Sequence, residues 1–184
     1  MKKINLFMFA LLSASVFSDT LLHVGNLIDV ENGEVTKAIT ITVSNNEIKA
    51  ITKGYARGNK NDKVINLKNS FVLPGFMDMH VHLSQEYVPK AERPAKIEPE
   101  YRALFAANAA SKTLMAGFTS VRNLGDGGME TIALRQAISQ GLIAGPRIFT
   151  SGKTIATTGG HGDPSNGKSK ADYSPPSPED GVID

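Results

Sequence analysis

The sequence predicts an α/β protein in which a small all-β segment precedes repeated β–α units. Two rhythms carry that prediction. From Asp19 to Leu73, short apolar runs with period-two spacing are separated by turn residues, which is strand behaviour. After Pro74-Gly75, strand-like runs alternate with helix-forming stretches at roughly 35-residue spacing, the pattern of right-handed βαβ units on a parallel sheet.

The 184 residues are 41% hydrophobic and 21% charged, which suits a globular protein rather than a disordered or fibrous one. Lys2 and Lys3 are the only charged residues before Asp19. Without these two of the 20 Lys and Arg, 18 basic residues face 18 acidic ones. A near-neutral chain with no basic block gives no reason to expect nucleic acid as a partner. Cysteine is absent, so disulfides, thiolate ligands and a catalytic thiol are excluded, and any metal must be held by nitrogen and oxygen.

Residues 1–18 have the form of an export signal. Lys2-Lys3 precede an apolar stretch from Ile4 to Leu12, and small residues follow, with Val16 and Ser18 at −3 and −1 of a cut before Asp19. The apolar stretch is shorter than the about 20 residues a bilayer span needs, so no stable membrane anchor is expected. An N-terminal anchor or a buried helix is the other reading. The export signal points to a periplasmic or secreted protein.

In the segment 19–73 the runs Leu22-Val24, Leu27-Ile28-Val30, Ile39-Ile41-Val43, Ile48-Ile51 and Val64-Ile65-Leu67 read as strands. Asn45-Asn46 reads as a tight hairpin, because Asn tolerates positive φ; Gly33 and Gly54 mark further turns. The segment is expected to be part of a small β-sandwich. His23 falls within it, with no second ligand candidate nearby, and is read as structural.

Beyond Pro74-Gly75, Glu98 to Ala116 reads as a helix, with Pro99 in its first turn and Gly117 as its stop. Thr119–Leu124 follows as a strand, Met129–Gln140 as a second helix before Gly141, and Arg147–Ser151 as a third strand after Gly145-Pro146. A closed eight-stranded barrel needs about 250 residues. The β–α units after Pro74 are therefore expected to be three units of a larger fold, and the chain an N-terminal fragment.

His80 and His82 stand at the end of the apolar run Phe71 to Met79. Residues i and i+2 of a strand point to one face, so both imidazoles leave the same face at a spacing that lets them bind one ion together. A pair of structural histidines is the alternative. Two histidines alone do not complete a catalytic zinc site, which takes three protein ligands and a water.

Leu73-Pro74-Gly75-Phe76-Met77-Asp78-Met79-His80-Val81-His82 resembles the first-strand motif of the amidohydrolase superfamily. Gly117 to Gly125 is similar to the second-strand segment of its imidazolonepropionase-like group. Gly145 to Gly152, with Thr158-Gly159-Gly160-His161-Gly162-Asp163, resembles the third-strand segment and loop of the Xaa-Pro dipeptidase branch. The resemblance implies a divalent-metal hydrolase, zinc in one or two ions, on a (β/α)₈ barrel (a TIM barrel) beside a composite sandwich. On it, residues 74–184 are the first three β–α units, and His80 and His82 bind the more buried ion. A carboxylated lysine, two histidines and an aspartate from later strands would complete the centre.

The same resemblance gives His161 a contact with the substrate carbonyl, stabilising the developing oxyanion; a loop histidine that only shapes its turn is the alternative. Arg122 can meet a substrate carboxylate or make a structural salt bridge. Asp78 suits support of the ligands better than ligation. Asn123 stands where relatives more often have an acid. Gly125-Asp126-Gly127-Gly128 lacks the third glycine of a phosphate-binding fingerprint and is not read as one. Tyr87–Glu98 is either a substrate rim or a plain loop.

The leading expectation is an exported metallopeptidase acting on dipeptides, with proline at the leaving end, and a homo-oligomer is the protein partnership it allows. Its rival is a cyclic amidohydrolase of the imidazolone type. A non-catalytic fragment that lacks the later ligands is the reading from another class.

Overall fold

The structure is a computed structural model that describes residues 18–85, 97–163, 165 and 178–182. The expected export signal, apart from Ser18, lies outside the described residues, as does most of the Tyr87–Glu98 loop. The chain divides into two compact units between Pro74 and Gly75.

The first unit is a single four-stranded sheet of β1 (Thr20–Ile28), β2 (Val35–Ser44), β3 (Glu47–Lys53) and β4 (Lys63–Val72), in the order β3-β2-β1-β4. Asn45 and Asn46, at φ 51° and 64°, make the tight β2–β3 hairpin that their side chains tolerate. Leu22-Val24 and Leu27-Ile28 are one strand rather than two. The interruption is a register irregularity between Val24 and Asn26, where Gly25 lies against the Lys68 backbone too closely for a β-carbon. Val24, Ile39 and Ile41 form the buried cluster, with Leu22, Leu27, Val43 and Val72 packed on it.

The β1–β4 pairing is parallel, in contrast to the two antiparallel hairpin pairings. Strand periodicity reports faces, not partners, so it could not foresee this closure. His23 is structural, as expected: its Nε2–H donates to the Ala56 carbonyl at 2.9 Å, and its ring lies 5.3 Å from that of Tyr55.

The second unit alternates β5 (Phe76–Val81), α1 (Pro99–Met115), β6 (Phe118–Asn123), α2 (Glu130–Ser139) and β7 (Arg147–Thr150). The three strands form one parallel sheet in the order β5-β6-β7. Both helices and the last two strands fall within a residue or so of their predicted limits. Pro99 sits at the first helical position, where its missing N–H costs nothing. Ala106 and Ala110, one turn apart and both 0% exposed, let α1 approach closely and share a core with Leu83, Val121, Leu134 and Ile148.

The run Phe71–Met79 is not one strand. β4 ends at Val72 and β5 begins at Phe76, because Leu73-Pro74-Gly75 carries a residue without an N–H to give to a ladder. The β5–β6 register is also irregular: Asp78 faces Val121 and Val81 faces Asn123, so β5 spends one extra residue over this stretch. Among the described residues, no helix is long and apolar enough to cross a membrane.

Candidate metal centre

Parallel strands all deliver their following loops to one end of the sheet. The residues after β5, β6 and β7 therefore gather there, which is where ligands bind in such sheets. His80 is the penultimate residue of β5 and His82 is the first beyond it. Their rings lie 5.4 Å apart between centroids at an interplanar angle of 64°, and both side chains are exposed.

His82 has a fixed orientation. Its Nδ1 lies 2.8 Å from the Gly125 carbonyl oxygen. A carbonyl only accepts, so Nδ1 carries the proton and the Nε2 lone pair is left for a metal. That is the arrangement a neutral imidazole ligand requires, so the donor chemistry fits a divalent ion. Among the described residues no third His, Cys, Asp or Glu joins the pair in a metal-binding group. The pair is part of a site.

Asp78 and Arg122 serve the irregular stretch of β5. Asp78 Oδ1 accepts from the His80 backbone N–H at 3.0 Å, and Arg122 Nε donates to the Met79 carbonyl at 2.8 Å. Each side chain takes a backbone group where the ladder loses its rhythm. Among the described residues Arg122, whose side chain is exposed, bonds this neutral carbonyl and forms no ion pair.

His161 is exposed in the segment that follows β7. Asp163, 4% exposed, organises that loop: one carboxylate oxygen accepts from the Gly159 N–H at 2.6 Å, the other from the hydroxyl and N–H of Ser165 at 2.7 Å. The Ser165 hydroxyl, then the Gly159 and Ser165 amides, hold the Asp163 carboxyl below the usual carboxylate range.

The two residues after His82 join a buried polar cluster that sequence reasoning missed. Asn123 Oδ1 accepts from the Leu83 N–H at 2.8 Å, and its amide donates to Asp126 Oδ2 at 2.9 Å. Ser84 Oγ donates to Asp126 Oδ1 at 2.5 Å; the Thr131 hydroxyl bonds the other Asp126 oxygen and lies 2.7 Å from that of Thr150. The available signal was a run of polar side chains at a strand end, Asn123 and then Asp126. Thr131 lies close by in the chain, but Ser84 and Thr150 are distant in sequence, so the run alone had no reading.

Residues 71–180 match the amidohydrolase family, and the chain belongs to that family. A crystal structure of an Xaa-Pro dipeptidase with methionine bound in its active site is 50% identical, with a TM-score of 0.84. The match covers 91% of this chain and 41% of that one. A prolidase complexed with N-methylphosphonate-L-proline is 29% identical with a TM-score of 0.72, over 91% of this chain and 41% of that one. Ochratoxinase from Aspergillus niger is 31% identical over 94 residues, which is 50% of this chain and 19% of the enzyme. The chain thus spans less than half the length of each of these relatives.

Proposed function

We propose that the protein containing this chain is an exported, metal-dependent amide hydrolase that cleaves dipeptides, with His80 and His82 as two ligands of its centre. The observation that carries the reading is the 50% identity to an Xaa-Pro dipeptidase over 91% of the chain. Zinc, as one or two ions, suits the nitrogen ligands. Bound there, a divalent ion supplies Lewis acidity toward an amide carbonyl and toward water.

The chain's own residues do the holding. His82 keeps its proton on Nδ1 against Gly125 and offers Nε2. Asp78 restrains the backbone of His80. His161 donates to the substrate carbonyl oxygen and steadies charge as it develops there. Arg122, with Nε engaged, turns its remaining N–H groups to the substrate carboxylate. On this reading the parallel sheet is the first part of a (β/α)₈ barrel, the four-stranded sheet is part of a composite sandwich, and the divisions fall at 1–18, 19–73 and 74–184. Further ligands and the proton carrier come from the length of the relatives that the chain does not span. Lys2-Lys3 and the apolar stretch after them support export to the periplasm or medium.

The test is a library of Xaa-Pro and Xaa-Xaa dipeptides, beside imidazolones, offered to the full protein with Zn²⁺ or Mn²⁺. Dipeptide turnover that disappears in the His80→Ala, His82→Ala double variant is the expected result. Turnover that survives it refutes the metal assignment, and turnover of imidazolones alone refutes the dipeptidase reading.

A further inference from the structure

Four consecutive residues around His82 are each bonded to one four-residue segment. The Val81 carbonyl accepts from the Leu124 N–H at 3.0 Å, and His82 Nδ1–H donates to the Gly125 carbonyl. The Leu83 N–H donates to the Asn123 side chain, and the Ser84 hydroxyl donates to Asp126. Asp126 is the hub of this clamp. It is 4% exposed, and its carboxylate also receives Asn123 and Thr131, while its own N–H donates to the Gly152 carbonyl at 2.8 Å.

Gly125 could not present its carbonyl otherwise. At φ 133° it lies against Thr154 so closely that a β-carbon would collide, which fixes the peptide that His82 reads. We propose that Asp126 is a positioning residue for the metal centre: through Ser84 and Asn123 it locks residues 81–84 onto residues 123–126, and so sets the tautomer and aim of the His82 imidazole. The inference rests on His82 being a ligand.

The full-length, metal-free protein is titrated with Zn²⁺ against a chromophoric chelator, and the visible spectrum of the Co²⁺-loaded form is recorded. Ser84→Ala and Asp126→Asn are expected to weaken Zn²⁺ by about 10- to 100-fold, the usual cost of losing support behind a ligand. They should also change the Co²⁺ spectrum. Val24→Ala, a core deletion in the buried cluster of the first unit, which contains no clamp residue, should leave both readouts near wild type. Wild-type affinity in folded Ser84→Ala and Asp126→Asn overturns the proposal, as does equal weakening in Val24→Ala. If Asp126→Asn does not fold, Ser84→Ala, which removes one hydroxyl, decides alone. The His80→Ala, His82→Ala double variant separates the two ideas. If it binds Zn²⁺ like wild type, the metal reading itself fails; if it loses Zn²⁺ while the clamp variants do not, only the clamp fails.

Discussion

At the scale of single residues, position in the polar cluster matters more than residue type. Asn123 is 1% exposed and uses both ends of its amide, accepting from Leu83 and donating to Asp126. An acid at that position would lose the donor and set a second carboxylate beside Asp126, which is a physical reason for an amide here. Asn123→Leu keeps the volume and removes both bonds. It should destabilise the protein by about 1–3 kcal/mol for each buried partner left unpaired, read from urea unfolding. A loss under about half a kilocalorie would mean that water replaces the amide. The histidine pair was legible as a possible grip because residues i and i+2 of a strand share one face. The hydrogen bond that fixes His82 was not, since Gly125 is 43 residues away in sequence.

At the scale of elements, two features organise the site end of the second unit. One is the irregularity in β5, where Asp78 and Arg122 take backbone groups beside His80. The other is the loop after β7, knotted by Asp163 beside His161. The direction of the Asp163 shift sets a pH dependence. Its folded carboxyl titrates below the value it has in the unfolded chain, so its stabilising bonds are complete above the unfolded value of about 4 and are lost as pH falls through the folded one. The difference in unfolding free energy between wild type and Asp163→Ala should therefore be largest near neutral pH and shrink below about pH 4. A difference that stays flat from pH 6 to pH 3 would refute it. Helix and strand limits from Pro99 onward were readable because Pro99, Gly117, Gly141 and Gly145-Pro146 punctuate them. The division of the Phe71–Met79 run was readable at Pro74-Gly75, where the rhythm changes and the two units meet.

At the scale of the whole molecule, a ligand that binds only the folded form stabilises it by mass action. If His80 and His82 hold a divalent ion, Zn²⁺ at 100 times its dissociation constant should raise the unfolding free energy of the full protein by about 2.7 kcal/mol. The double alanine variant should show no such rise in a thermal or denaturant titration, and an undiminished rise would place the metal elsewhere.

Local chemistry settled what can be settled locally. Alternation marked the strands of the first unit, breakers and caps marked the helices of the second, and an absence of cysteine left nitrogen and oxygen as the only metal donors. These depend on neighbours within a few residues, which the sequence displays directly. The tertiary structure alone decided the parallel pairing of β1 with β4, the extra residue in β5 and the polar clamp of Ser84, Asn123, Asp126 and Thr131. Each joins residues far apart along the chain. Period and composition carry no record of distant partners; packing and the need to satisfy every buried polar group select them.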